Sequence, residues 1–202
     1  MIRNTLLPQS LRKKAVKGPF RASEAEALGV SRTALVRWVE QGMLLRISRG
    51  LYSLPGVPIS GKESFLEVAI KAPKAVFCLL TALEVHGVST QLHPSIWIAI
   101  EQGDWKPRGM SMDLRVVRFS GKAFREGIEI QPVNGITVRV YSLAKTIADC
   151  FRYRNKIGME VAVEALKEGL RSKKAAPTDI RRFAELRGVS KVLGPYLEAF
   201  LG

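Results

Sequence analysis

Leu7, Leu11 and Ala15 recur at helical spacing with basic side chains on the opposite face, which predicts a first helix over residues 6–17. Gly18-Pro19 ends it, because proline lacks the amide and glycine tolerates the turn. Phe20-Arg21 reads as a short extended piece. Ser23-Glu24-Ala25-Glu26 has the Ser-x-x-Glu form that satisfies the orphan amides opening a helix, so a second, short helix is expected to run to Gly29. Ser31 is placed to cap a third helix from Arg32 to about Gln41, with Gly42 as its stop.

Beyond Gly42 the period changes from helical to alternating. Leu45 and Ile47 alternate with Arg46 and Ser48, Arg49-Gly50 interrupts, and an extended run resumes at 51–54. That is the pattern of a two-stranded hairpin with glycine at its turn. Pro55-Gly56-Val57-Pro58 reads as a linker. The remainder is mixed: helices are expected over 62–72 and 75–86, strands over 95–101 and 113–119, and short extended pieces over 128–131 and 136–141. Helices over 142–152, 159–170, 178–187 and 190–201 complete the chain.

Three short helices followed by a basic hairpin form the order of a winged helix-turn-helix. The expected fold class is therefore α+β (mixed α/β). A winged helix-turn-helix over residues 1–57 precedes a mixed α/β domain with a helical tail over 58–202.

Charge sharpens that picture. The 202 residues carry 32 Lys and Arg against 18 Asp and Glu, a net +14. Residues 1–58 hold ten basic and three acidic side chains, so a little over a quarter of the chain carries half of the net charge. Such a field favours polyanions, nucleic acid or an anionic membrane. The longest apolar run, 75–83, falls far short of the ~20 residues that span a bilayer. Residues 1–9 lack a secretory pattern, so a cytoplasmic protein is expected. Cys78 and Cys150 sit in apolar surroundings without metal-ligand spacing and read as buried thiols.

The third helix divides into two faces. At ~100° per residue, Leu35, Trp38 and Val39 gather on one side and Thr33 and Arg37 on the other, flanked by Arg32, Val36 and Gln41. A helix in the major groove needs an apolar anchor behind and donors ahead. Arg37 suits a bidentate contact to guanine, and Ser31 and Arg32 lie at the helix N-terminus, which attracts phosphate. On the hairpin, Arg46 and Arg49 stand on or beside the tip, where a wing meets the DNA backbone. The expected DNA-binding residues are thus Ser31, Arg32, Thr33, Arg37, Gln41, Arg46 and Arg49. An ordinary amphipathic surface helix and an edge hairpin with solubilising arginines remain the plainer readings of the same residues.

Catalytic chemistry finds little support. His86 and His93 are the only histidines, and neither has a cysteine nearby to complete a zinc site. Asp104, Asp113 and Glu129 lack the Glu-x-Lys that a nuclease strand would add, and no phosphate-cradling glycine loop is present. No catalytic residue, metal site or cofactor is expected. Lys173, Lys174, Arg181 and Arg182 are the candidates for any DNA contact made by the second domain.

The run Ala25-x-x-Leu28-Gly29-Val30-Ser31, then Gly42-Met43-Leu44-x-Arg46 and Arg49-Gly50-Leu51-Tyr52-x-Leu54-Pro55, resembles the N-terminal domain of the AbiEi antitoxins of type IV toxin–antitoxin systems. Thr81-Ala82-Leu83-Glu84-x-His86-Gly87, Ile96-Trp97-Ile98-Ala99-Ile100, Leu114-Arg115-Val116-Val117-Arg118 and Ser142-Leu143-Ala144-Lys145-Thr146-Ile147-Ala148-Asp149 are similar to that family's C-terminal domain. A commoner variant of the last motif has Arg where this chain has Lys145. The resemblance spans roughly residues 6–170. It implies a transcriptional autorepressor that binds inverted repeats in duplex DNA upstream of its own operon. It also implies a partner in function, a nucleotidyltransferase-like toxin, opposed without a stable complex. Alternatives are a ligand-responsive winged-helix regulator, an enzyme acting on nucleic acid through the second domain, and a protein–protein module.

Overall fold

The computed structural model describes residues 7–16, 18–48, 50–55, 63–88, 95–110, 112–133 and 136–202. Arg49, His93, the ends of the first expected helix (Leu6, Lys17) and the linker residues 56–58 lie outside them. The chain forms two compact units, Met1–Lys71 with Pro132–Thr137, and Ala72–Gln131 with Val138–Gly202.

In the first unit, α1 (Gln9–Ala15) leads into β1 (Phe20–Arg21), then α2 (Ala22–Ala27), α3 (Arg32–Glu40), β2 (Leu45–Ser48), β3 (Leu51–Ser53) and α4 (Glu63–Lys71). The strands form an antiparallel sheet in the order β1-β3-β2. Phe20 pairs with Tyr52 and Leu45 with Ser53, and a register shift interrupts the hairpin between Arg46 and Ser48. The extended Phe20-Arg21 piece is thus the third strand beneath the wing. Leu11, Ala15, Phe20, Ala25, Val30, Leu35, Trp38, Leu44 and Tyr52 form one core, to which each of the first three helices and the sheet contribute. α4 lies beyond the 57/58 boundary but within this unit, where Leu66 joins Leu51 in a second small apolar cluster.

Local hydrogen bonding explains the turns. After α2 the Val30 N–H donates to the Ala25 carbonyl and the Gly29 N–H to that of Glu26, with Gly29 at φ +80°. α3 ends the same way, with the Met43 N–H on the Trp38 carbonyl and Gly42 at φ +71°. Both turns close by a left-handed residue that glycine adopts without steric cost.

The start of α2 corrects the sequence reading. The helix begins at Ala22, one residue before Ser23, so the carboxylate in reach of the free amides is Glu24 rather than Glu26. Glu24 accepts the Arg21 N–H at 2.6 Å and pairs with Lys14 at 2.7 Å, tying α1 to the start of α2. Burial raises its pKa, but the Arg21 N–H and the Lys14 ammonium outweigh that and hold it below the usual carboxylate range.

After α4, β4 (Val76–Phe77), α5 (Leu79–Val85), β5 (Ser95–Glu101), β6 (Asp113–Phe119), α6 (Gly121–Arg125), β7 (Ile128–Val133) and β8 (Ile136–Tyr141) are followed by five helices. These are α7 (Leu143–Arg152), α8 (Arg154–Ile157), α9 (Met159–Arg171), α10 (Pro177–Leu186) and α11 (Ser190–Leu201). The sheet order is β6-β5-β4-β8-β7, with β4 antiparallel to β5, and β4–β8 and β5–β6 parallel. The expected helix over 75–86 is therefore split. Val76 and Phe77 pair with Ala99 and Ile98 in the middle of the sheet, and the helix begins only at Leu79. A strand covered on both faces has no polar alternation to distinguish it from a buried helix. α7 is the centre of the unit: every residue from Leu143 to Phe151 is buried.

Candidate nucleic-acid interface

α3 is capped by Ser31, whose Oγ accepts the Ala34 N–H at 3.2 Å. The cap consumes an acceptor and leaves the hydroxyl proton available. Leu35 and Trp38 are 0% and 3% exposed, and Ala34 and Val39 are half-buried. Their anchorage turns the other side outward: Ser31, Arg32, Thr33, Val36, Arg37, Glu40 and Gln41 are all exposed. The helix thus presents an uninterrupted accessible face from its first turn to its last.

The named residues differ in readiness. Thr33 and Arg37 stand one turn apart on the outward face, and Arg37 makes no ion pair or side-chain hydrogen bond among the described residues. Arg32 is engaged, its Nε donating to Glu26 Oε1 at 2.7 Å. The Arg32 side chain is 73% exposed, so the pair is weak and exchange of Glu26 for a phosphate costs little. Gln41 caps the C-terminal end of α3. Arg46 is exposed on β2, opposite Tyr52, and has no ion pair among the described residues.

Two further residues share this face. Val36, 45% exposed, flanks Thr33 on the side away from Arg37, and its methyl groups suit a thymine methyl. Glu40, two turns beyond Thr33, is exposed on this side as well, and a sequence pattern of donors does not single it out. It falls at nearly the wheel angle of Thr33, and a carboxylate there can accept from the amino group of cytosine while repelling a phosphate.

In the second unit most of the charged candidates are engaged locally. Lys174 donates to the His86 carbonyl, Arg181 pairs with Glu198 at 2.7 Å, and Arg182 lies between Glu126 and Asp179. Of the four basic candidates there, Lys173 alone is exposed without an ion pair or side-chain hydrogen bond among the described residues. His86 caps α5, its Nε2 2.7 Å from the Tyr141 carbonyl oxygen. Asp113 is bonded to Ser95 and Arg115, and Glu129 to Gln131. Among the described residues no group of three or more His, Cys, Asp or Glu is placed to hold a metal ion.

A buried charge cluster joins Lys145 to Asp149 at 2.7 Å, with Arg187 on the other carboxylate oxygen. Lys145 also lies 3.4 Å from the centre of the Tyr141 ring. Burial pushes its ammonium below the usual lysine range, against the pull of Asp149. Lys145 and Asp149 are both 0% exposed, so the pair is closed off from solvent.

Residues 11–55 match the model of a family described as a transcriptional regulator, AbiEi antitoxin. The match runs from α1 through β3 and so coincides with the capped helices and the hairpin. In fold, the chain is similar to the RV2827C protein from Mycobacterium tuberculosis, with a TM-score of 0.56 and 12% identity over 96% of this chain and 82% of that one. No curated protein matches the chain. Among the described residues no helix is long and apolar enough to cross a membrane.

Proposed function

From the match of residues 11–55 to the AbiEi antitoxin transcriptional regulators, we propose that this chain is a DNA-binding autorepressor and antitoxin. Residues 1–57 act as the DNA-binding domain and 58–202 as the antitoxin-type domain. The operator is a set of inverted repeats in duplex DNA upstream of its own operon, in the cytoplasm. A nucleotidyltransferase-like toxin is the functional opponent, without a stable complex. The observation that carries the reading is the outward face of α3, with Thr33 and Arg37 exposed and Arg37 unpaired among the described residues.

Ser31 and Arg32 hold phosphate at the N-terminus of α3, Thr33 and Arg37 meet base edges, and Gln41 reaches the far side of the groove. Arg46 and Arg49 hold the wing on the backbone. The division predicts different behaviour for the two kinds of arginine. Arg37→Ala is expected to weaken operator binding by about 1–3 kcal/mol and to relax the preference at one base pair. Arg46→Ala is expected to weaken binding alike on all duplexes and to flatten the slope of log K against log salt by about 0.9. Titrations of labelled operator and its single-base variants over a salt series separate the two. A salt-independent affinity, or an Arg37→Ala protein with unchanged affinity and preference, contradicts the assignment.

A further inference from the structure

The connection between the parallel strands β5 and β6 carries Trp105, 88% exposed, the most exposed large apolar side chain among the described residues. Trp38 is buried and Trp97 half-buried, as is usual for this residue type. The Trp105 indole has no hydrogen bond or ring contact among the described residues. The turn that leads into it, by contrast, is hydrogen-bonded to its surroundings. The Gln102 N–H donates to the Phe119 carbonyl at 2.7 Å, the Asp104 N–H to that of Glu101 at 3.0 Å, and Arg118 Nη1 to that of Asp104 at 2.7 Å. An aromatic plane presented from an anchored base loses little freedom when it is covered.

The residues that follow set the chemistry. Lys106 and Arg108 are exposed and make no ion pair among the described residues, whereas nearby Arg115 is paired with Asp113. We propose that this loop contacts single-stranded nucleic acid, with Trp105 stacking on an unpaired base and Lys106 and Arg108 holding the adjoining phosphates. Two unpaired cations on a chain of net charge +14 select a polyanion. An indole needs the whole face of a base, which an unpaired nucleotide offers and a stacked duplex does not. A lipid surface fits less well. Neither neighbour of Trp105 is apolar, and stable membrane attachment takes more than one weak anchor. The inference is confined to the second unit and does not depend on the duplex reading of α3.

The test is titration of the full chain with a short oligothymidylate, the matching oligouridylate and a duplex, read by intrinsic fluorescence and by anisotropy of labelled strands. Single strands are expected to quench the emission of Trp105. Trp105→Ala should abolish that quenching and weaken single-strand binding about 5- to 150-fold, with Trp105→Phe between the two. Lys106→Ala with Arg108→Ala should flatten the single-strand salt slope by about 1.4. Arg37→Ala should leave all of this unchanged, so the two interfaces fail separately. Single-strand affinity equal in wild type and Trp105→Ala would overturn the proposal. So would a Trp105-dependent signal with phosphatidylglycerol vesicles and none with oligothymidylate.

Discussion

Asp149→Ala is expected to destabilise the protein by about 3–5 kcal/mol, the cost of breaking a buried ion pair from one side. The carboxylate is fully buried on α7, accepts Lys145 on one oxygen and Arg187 on the other, and is the only acid in that cluster among the described residues. Its removal strands two cations. Arg187 lies over the Phe119 ring at 4.2 Å, and Lys145 over the rings of Phe119 and Tyr141, and aromatic faces replace only part of a lost counter-charge. Lys145→Met is the informative control. It keeps much of the side-chain volume, leaves Asp149 paired with Arg187, and should cost clearly less. Urea unfolding followed by far-ultraviolet circular dichroism compares them. Equal losses in the two variants would contradict this, and would mean that Arg187 alone does not compensate the Asp149 carboxylate.

Trp38→Ala is the second large effect, about 3–5 kcal/mol against the first unit alone. Trp38 is 3% exposed within the core that α1, α2, α3 and the wing sheet share, and its carbonyl accepts the N–H groups of Met43 and Leu44 where the chain turns toward β2. A domain this small holds only several kcal/mol in reserve, so the loss should abolish duplex binding by unfolding the scaffold. Thermal unfolding distinguishes this from Arg37→Ala. The tryptophan variant should lose an early-melting transition and its DNA binding together, while the arginine variant keeps the wild-type melting curve. A Trp38→Ala protein that melts as wild type would show that α3 is not anchored through this side chain.

The first unit was readable because its signals are local. The Ser31 cap, the glycines at 29 and 42 and the change to alternation at Leu45 each report on a few adjacent residues. The displaced box at α2 was not, because Arg21 is an unusual helix-opening residue and Ser23 offered a more conventional one. The Arg32–Glu26 pair spans six residues across a turn, outside the three- and four-residue spacings that reveal helix pairs. The apolar run of β4, covered on both faces, carries no period and so merges in sequence with the helix that follows. Lys145 and Asp149 sit at helical spacing that ordinarily marks a solvent-facing pair, and only tertiary packing around α7 shows that both are buried. Trp105 belongs to a connection without periodicity, where exposure is not written in the sequence.

The claim at the centre is that α3 enters the major groove by its outward face, with Arg37 on a base. A hydroxyl-radical footprint over the chain's own upstream DNA, with wild type and Arg37→Ala side by side, tests it most directly. Wild type should protect paired, inversely related stretches, and the variant should lose that protection at concentrations where wild type is saturating. Identical protection by both proteins, or none by either, would contradict it.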